Sequence, residues 1–108
     1  MSNTMTIDVG KDFSRYPAGR FQKDGRGSGE QFRNELLLPA LASHERVQVV
    51  LDSTMGYGSS FLEEAFGGMV RLGHVSPREA LKRLDLVTSD PSLKLEIESY
   101  ISKAKPRR

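Results

Sequence analysis

The run Val47-Gln48-Val49-Val50-Leu51 constrains the fold of this chain more than any other stretch. It is the most apolar and most β-branched run in the sequence, and it predicts a central strand that is buried on both faces. Asp52 closes the run, a short loop follows, and a helical pattern of apolar residues then begins at Phe61. A buried strand that leads directly into an amphipathic helix is typical of an α/β protein.

Other segments also have the pattern of strands. Residues 5–9 alternate between apolar and polar side chains, which predicts a strand with one buried face. Residues 84–88 predict a last strand, and Arg20-Phe21-Gln22 predicts a short one inside the glycine-rich loop 14–29. Because strands alternate with helices, we expect a single small α/β domain with a mixed sheet of about four strands packed against helices.

Capping residues mark four helix starts: Ser28 with Gln31, Ser60 with Glu63, Ser76 before Pro77, and Asp90 before Pro91. Pro39 falls inside the first helix and is expected to kink or end it, because proline removes an intrahelical hydrogen bond. Gly67 and Gly68 fall inside the second helix, where we expect them to permit a close approach to the sheet. The side chains expected in the core include Phe61, Phe66, Leu51, Val49, Ile97 and Leu36.

The composition excludes several classes of site. The 108 residues include no cysteine, which rules out disulfide scaffolds, thiolate zinc sites, iron–sulfur clusters and cysteine nucleophiles. The two histidines, His44 and His74, are far apart in sequence and are expected at helix ends rather than in a metal site. No apolar run approaches the roughly 18 residues of a membrane span, and no signal peptide is visible. We therefore expect a soluble cytoplasmic domain with no metal, no cofactor and no membrane contact.

The formal charge of +2 hides an uneven distribution. Four basic residues fall in the last six positions, which leaves 12 basic against 14 acidic side chains in the rest of the chain. We therefore divide the chain into a folded domain, 1–102, and a basic tail, 103–108. A second basic group lies early: Arg20, Lys23, Arg26 and Arg33. Such groups can bind phosphate backbones, but a solvated charged surface is the simpler interpretation, so weak or no nucleic-acid binding is expected.

The loop between the central strand and the second helix is the segment best placed to carry a function. It follows the carboxyl end of a strand, where open α/β sheets form their sites. Backbone N–H groups at the helix start favour an anion or a phosphoserine. The residues singled out there are Asp52, Ser53, Thr54, Tyr57, Gly58, Ser59 and Ser60. The alternative is structural: Ser60 caps the helix, Asp52 stabilises the turn, and the glycines supply positive φ.

Two motifs, taken with this order of elements, resemble the bacterial STAS-like family of unknown function over most of the chain. One motif opens the first helix with Ser28-Gly29-Glu30-Gln31-Phe32-Arg33. The other joins Val49-Val50-Leu51-Asp52 to Gly58-Ser59-Ser60-Phe61-Leu62-Glu63-Glu64-Ala65-Phe66-Gly67-Gly68. More distantly, the chain is similar to STAS domains of the anti-sigma factor antagonist type.

This resemblance implies a fold and a mode of action. Antagonists of that type are small α/β modules that bind an anti-sigma kinase with a histidine-kinase-like ATPase fold. They are switched by phosphorylation of a serine at the start of the helix that follows a central strand. Ser60 takes the place of that serine, and Ser59 that of the residue before it. Gly58 and Phe61 stand where those proteins carry Asp and Gly.

Three functions follow from these observations. The first is a non-enzymatic regulatory module that binds a protein through loop 52–60 and the exposed side of the next helix, where Glu63 and Glu64 lie; a homodimer stays open. The second is an accessory protein that binds nucleic acid through the early basic group and the tail. The third is a small phosphate-binding enzyme at loop 52–60. It ranks last because no general base is visible: Asp52 is the only acid nearby and no histidine is close in sequence. The P-loop, G-x-S-x-G and G-x-G-x-x-G motifs are also absent.

Overall fold

Strands and helices alternate along the chain in the computed structural model, which describes residues 3–105. The strands are β1 (Thr4–Asp8), β2 (Arg46–Val50) and β3 (Leu84–Val87). The helices are α1 (Val9–Asp12), α2 (29–43), α3 (59–71), α4 (Pro77–Arg83) and α5 (Pro91–Lys103). Helix α2 joins Gly29–Phe32, the π-helical Arg33–Leu37 and Leu38–Ser43. Helix α3 joins Ser59–Leu62, the π-helical Glu63–Gly67 and Gly68–Arg71.

Strand β2 is the middle strand of a sheet whose three strands are all parallel, in the order β1-β2-β3. The register places Ile7 and Leu86 on either side of Val49. The predicted α/β class is confirmed, but the predicted mixed sheet of about four strands is wrong. Parallel neighbours require a crossover through a helix, and α2 and α3 supply the two crossovers.

The short strand expected at Arg20-Phe21-Gln22 does not form. This segment leads into a 3-10 turn at Gln22–Asp24. It also lies between Gly19 and Gly25, whose φ values of 88° and 136° interrupt an extended backbone. Phe21 remains 37% exposed, so the segment has no apolar side to bury against a sheet.

One face of the sheet is covered and the other is open. Val47 and Val49 are fully buried. On the opposite face, the Thr6 hydroxyl donates to Gln48 at 3.0 Å, and the Gln48 amide donates to Asp85 at 3.3 Å. The expectation that β2 is buried on both faces is therefore wrong. Strands laid down in sequence order receive both right-handed crossovers on the same side, so α2 and α3 share one face.

Helix α2 begins as its capping residues predict. The Ser28 hydroxyl accepts from the N–H of Gln31 at 3.1 Å, and Gln31 Oε1 accepts from the N–H of Gly27 at 2.9 Å. Pro39 does not end this helix, which continues to Ser43. The π segment that precedes the proline widens the turn, and a wider turn moves the carbonyl groups that a proline ring would otherwise meet.

The paired glycines of α3 make room for two neighbours, neither of which is the sheet. A Cβ atom on Gly68 would lie 2.5 Å from Nη1 of Arg33. A Cβ atom on Gly67 would lie 3.3 Å from the carbonyl oxygen of Tyr100 in α5. The expected close approach to the sheet is therefore wrong, because α3 instead packs closely against a guanidinium of α2 and the backbone of α5.

The two later helices begin at their predicted caps. The side chains of Ser76 and Asp90 each accept hydrogen bonds from backbone N–H groups of the first turn. Helix α5 ends at Lys103, the first residue of the predicted basic tail. The last part of that tail, 106–108, lies outside the described residues, as do residues 1–2 at the start of the predicted domain.

The core between the sheet and the helices is built around four phenylalanines. The ring centroid of Phe32 lies 5.3 Å from that of Phe13, 5.8 Å from that of Phe61 and 6.1 Å from that of Phe66. Five of the six core predictions are confirmed as buried residues: Phe61, Phe66, Leu51, Val49 and Ile97. Leu36 is only partly buried and packs against the edge of this core.

Replacing Phe66 by Ala should lower the free energy of unfolding by about 3–5 kcal/mol, because a fully buried ring is lost and a cavity remains. Chemical denaturation followed by circular dichroism measures this change. The matched control is Leu95→Ala, since Leu95 is 66% exposed on α5 and its truncation should change the stability by less than about 0.5 kcal/mol. A loss below about 1 kcal/mol at Phe66 would contradict the described core.

Candidate functional site

The loops that follow the three strands meet at one edge of the sheet, the carboxyl edge, formed by residues 8–16, 51–60 and 87–90. Ser53 connects the first two loops. Its hydroxyl donates to the carboxylate of Asp8 and accepts from the N–H of Gly10 at 2.9 Å. The hydrogen bond from Ser53 lowers the pKa of Asp8 below its ordinary value. The predicted site residue Ser53 therefore fixes the relative position of β1 and β2 at this edge.

Asp52 connects the second and third loops. One oxygen of its carboxylate accepts from the Thr88 hydroxyl at 2.6 Å, and the other accepts from the N–H of Ser89 at 2.8 Å. The hydrogen bond from Thr88, followed by that from Ser89, lowers the pKa of Asp52. The carboxylate consequently stays ionised at neutral pH. Asp52 is exposed at the surface while it holds the two loops together.

Tyr57 and Thr54 fold their loop back onto the end of β2. The Tyr57 hydroxyl donates to the carbonyl oxygen of Leu51 at 2.8 Å, and the Thr54 hydroxyl accepts from the N–H of Gly56 at 3.2 Å. The Tyr57 ring packs against Phe61, with their centroids 5.8 Å apart. Burial raises the pKa of Tyr57 to about 12, so its hydroxyl is a neutral hydrogen-bond donor at physiological pH.

Helix α3 begins two residues earlier than the sequence predicts, and this changes the role of Ser60. Gly58 is the N-cap, Ser59 is the first helical residue, and no side chain caps the first turn. The predicted capping box of Ser60 and Glu63 is therefore wrong. Ser59 and Ser60 are both exposed, and within residues 3–105 the Ser60 hydroxyl makes no hydrogen bond.

Two large exposed side chains lie on the carboxyl edge and were not singled out from the sequence. Met55 is 69% exposed and Tyr16 is 71% exposed. The N–H of Met55 donates to the carbonyl oxygen of Arg15 at 2.8 Å, which holds the two loops side by side. Exposed Tyr and Met side chains are enriched where proteins contact each other. Met55 could have been recognised from the sequence, because it lies between Thr54 and Gly56 in a polar loop where no neighbouring apolar residues predict that it is buried.

Glu63 and Glu64 bind three arginines, and we call these five residues the ionic cluster. Arg33, only 3% exposed, donates from Nη1 to Glu64 Oε2 at 2.6 Å and to the Glu64 carbonyl oxygen at 2.8 Å. Arg71 pairs with both carboxylates, and its Nη2 lies 3.0 Å from Glu64 Oε1. Arg20 also pairs with both, and its Nη1 lies 3.3 Å from Glu64 Oε1.

The ionic cluster corrects two expectations from the sequence. Glu64 is buried instead of lying on the exposed side of its helix. The early basic group is divided, because Arg20 and Arg33 are directed at carboxylates while Lys23 and Arg26 are exposed in the loop. Arg71 was not predicted as a site residue, although its spacing of two helical turns from Glu64 was a usable signal.

Both π segments begin at residues of the ionic cluster. Arg33 is the first residue of the π segment in α2, and Glu63 is the first in α3. In α3 the N–H of Gly68 donates to the carbonyl oxygen of Glu63, five residues back. The next carbonyl, that of Glu64, accepts the hydrogen bond from Arg33. The irregular turn therefore presents a backbone acceptor to the guanidinium, and such turns occur often at functional sites.

The opposite edge of the sheet carries a cleft of about 580 Å³ around Arg83 and His44. Arg83 Nη2 donates to the carbonyl oxygens of Leu41 and His44 at 2.6 Å each, which satisfies the end of α2. His44 lies at that helix end, as expected. Within residues 3–105, no group of three or more His, Asp or Glu side chains could hold a metal ion. None of the helices in this range has the length and hydrophobicity needed to cross a bilayer.

A family model agrees with this order of elements. The model, described as a STAS-like domain of unknown function (DUF4325), matches residues 28–94, which is more than half of the chain. The chain belongs to this family. No curated protein and no solved structure matches the chain.

The STAS-like match contains most of the candidate site. It includes α2, β2, loop 52–60 and α3, and it ends in the first turns of α5. Four members of the ionic cluster fall inside the matched range: Arg33, Glu63, Glu64 and Arg71. Arg20 falls before it, together with β1. The cluster therefore connects the elements that the family model covers to a loop that it does not cover.

Replacing Glu64 by Gln should lower the free energy of unfolding by about 3–5 kcal/mol, because Arg33 would remain as a buried charge without its carboxylate partner. Urea denaturation at neutral pH measures the loss. Glu45→Gln is the control, since Glu45 is exposed and its carboxylate forms no ion pair within the described residues. A change as small as that of the control would show that the buried pair contributes little.

Lowering the pH should also destabilise the chain, because Glu63 becomes protonated. Burial by itself would raise the pKa of Glu63, but the hydrogen bonds from Arg20 and Arg71 outweigh it and hold the pKa below its ordinary value. A lowered folded-state pKa stabilises the protein above the unfolded pKa, and this contribution is lost as the pH falls through the folded value. The difference in unfolding free energy between wild type and Glu63→Gln should therefore shrink below about pH 5. A difference that stays constant from pH 7 to pH 3 would contradict this.

Proposed function

We propose that this STAS-like chain is a non-enzymatic regulatory module that binds a protein partner through its carboxyl edge, and that phosphorylation of Ser60 switches this binding. The position of Ser60 carries the proposal. Its hydroxyl is exposed, makes no hydrogen bond within residues 3–105, and lies in the first turn of the helix that follows the middle strand. The helix dipole favours negative charge there, so a phosphate is compatible with the fold.

The resemblance to anti-sigma factor antagonists indicates the chemistry of the partner. We expect an ATPase with a histidine-kinase-like fold that also supplies the phosphoryl group. The Ser60 oxygen attacks the γ-phosphorus of ATP, the new ester forms as ADP leaves, and the hydroxyl proton passes to a base of the kinase. Such a partner places the chain in the cytoplasm, where ATP is available.

The remaining residues of the carboxyl edge divide into two groups. Asp52, Ser53 and Tyr57 hold the loops in shape through their hydrogen bonds to other loops or to the strand end. Met55 and Tyr16 offer apolar surface at the same edge. Exposed aromatic and flexible apolar side chains are typical of surfaces that recognise other proteins.

The two alternative functions have less support. A nucleic-acid surface would need several free cations on one face, but two of the four early basic residues, Arg20 and Arg33, are bound to carboxylates. An enzyme at this edge would need a group whose pKa lies near the working pH. Hydrogen bonds lower the pKa of both Asp8 and Asp52, beginning with those from Ser53 and Thr88, and burial raises that of Tyr57 to about 12.

Replacing Ser60 by Ala or by Asp should leave the fold intact. Because Ser60 is not the N-cap, we expect Ser60→Ala to change the free energy of unfolding by less than about 0.5 kcal/mol. Ser60→Asp should lower the affinity for the partner by about tenfold or more, which corresponds to about 1.4 kcal/mol. The reason is that the added charge would be buried under the partner. Calorimetric titration of the purified ATPase partner with each folded variant measures this.

Ser59→Ala is the matched control, because it removes the neighbouring exposed hydroxyl of the same turn. Its affinity should equal that of wild type. Incubation of the partner with ATP should place phosphate on Ser60 in wild type and in Ser59→Ala, as read by mass spectrometry. Equal affinities for wild type, Ser60→Ala and Ser60→Asp would reject the switch.

A further inference from the structure

We infer that Arg20 is the counter-ion that receives a phosphate on Ser60, and that binding this phosphate draws Arg20 away from Glu63 together with the loop that carries it. The inference rests on the proposed phosphorylation of Ser60 and deepens it. It follows from three features: how residues 18–26, here called the strap, are attached, how the charges of the ionic cluster balance, and how close Ser60 lies to that cluster.

The strap is attached by polar contacts. Every strap side chain except that of Arg20 is exposed. The strap closes on itself where the N–H of Ala18 donates to the carbonyl oxygen of Gly27 at 2.9 Å, and it meets α2 where the N–H of Glu30 donates to the carbonyl oxygen of Arg20 at 3.0 Å. In the described part of the chain, the hydrogen bonds and ion pairs that join the strap to α3 all come from the Arg20 guanidinium. The position of the strap on α3 therefore depends on one side chain.

Arg20 is the arginine whose departure leaves the ionic cluster balanced. The cluster sets three guanidinium groups against two carboxylates. Without Arg20, the side chains of Arg33 and Arg71 still match Glu63 and Glu64 in charge. The Arg20 side chain is also the most accessible of the three, at 33% exposed against 3% for Arg33 and 22% for Arg71. Its movement leaves no buried carboxylate unpaired, so the main penalty for opening a buried ion pair does not arise.

Ser60 lies on the same helix as the two carboxylates that Arg20 binds. It precedes Glu63 and Glu64 by three and four residues on α3, a spacing that brings side chains to about 5–6 Å between Cβ atoms. A phosphate on Ser60 would carry close to two negative charges and would repel both carboxylates. A guanidinium placed between them removes the repulsion and can bind the phosphate through two parallel hydrogen bonds. Arg20 already contacts both carboxylates. When it releases Glu63 to bind the phosphate, the strap loses its attachment to α3 and moves with it.

The experiment uses the full chain with phosphoserine inserted at position 60 during translation, with no partner present. A ³¹P NMR titration gives the second pKa of the phosphate. We expect this pKa to lie below the ordinary value of about 6 and to rise by about 0.5 unit or more in the Arg20→Gln variant. Arg26→Gln is the matched control, because it removes the same charge from an exposed residue of the same strap and should leave the titration unchanged.

Hydrogen exchange of the strap amides tests the movement itself. Residues 18–26 should exchange faster in the phosphorylated chain than in the unmodified chain, whereas the amides of β2 should not change. Identical titration curves for the phosphorylated parent and its Arg20→Gln variant would overturn the phosphate contact, and unchanged strap exchange would overturn the displacement. If Arg20→Gln fails to fold, Arg20→Lys replaces it, since it keeps the charge but not the fork, and it should raise the phosphate pKa partway.

These results are separable from those for the proposed function. A partner that binds wild type and Ser60→Asp equally would reject the switch, yet the phosphate titration would still report the contact with Arg20. Conversely, an identical phosphate pKa with and without Arg20 would reject the contact with Arg20. It would not change any measured effect of Ser60 substitutions on the affinity for the partner.

Discussion

A buried guanidinium paired with a buried carboxylate determines how helices α2 and α3 meet. The guanidinium of Arg33 in α2 donates hydrogen bonds to both the carboxylate and the backbone carbonyl of Glu64 in α3. An unpaired charge in this position would be strongly destabilising, so the helices are stable only in the arrangement that brings the partners together. Gly68 leaves the space that Nη1 of Arg33 needs, and Gly29 lets the start of α2 approach the backbone of Phe61. In this arrangement Phe32 of α2 packs against Phe61 and Phe66 of α3, with ring centroids 5.8 Å and 6.1 Å apart.

The sequence predicted the parts of the fold that depend on neighbouring residues. The caps at Ser28, Ser76 and Asp90 act on N–H groups two or three residues away, so their effect is local. The number of strands and the open face of the sheet depend on which side the crossovers take, and no short segment encodes that choice. Gln48 was the available signal, because a polar residue inside an apolar run indicates a face that is not fully covered.

The sequence predicted that loop 52–60 follows the middle strand and leads into a helix, but it did not predict how Ser60 and Glu63 are used there. Gly58 and Ser60 are both acceptable N-cap residues, and the spacing of Ser60 to Glu63 suited a capping box. Long-range charge decided otherwise, because Glu63 binds arginines from the strap and from the end of its own helix. The apolar residues of α3 also repeat every four positions, and this spacing was a signal for the π segment. Phe61, Leu62, Ala65, Phe66, Met69 and Val70 recur at intervals of four, and each such step drifts by about 40° on a regular α-helix.

The π segment of α3 has a consequence for how this chain can change in length. An additional residue in a turn rotates everything beyond it by about 100° relative to everything before it. The first half of α3 places Phe61 in the core and Glu63 beside the arginines, while the second half places Met69 in the core and Arg71 beside the same carboxylates. Deleting one residue from Glu63–Gly67 would restore a regular helix. Only one half of α3 could then keep its contacts with the core and the ionic cluster, because the other half would be rotated. We therefore expect insertions and deletions to be tolerated better in the loops around α3 than inside it, because a change in length within the helix rotates its two halves relative to each other.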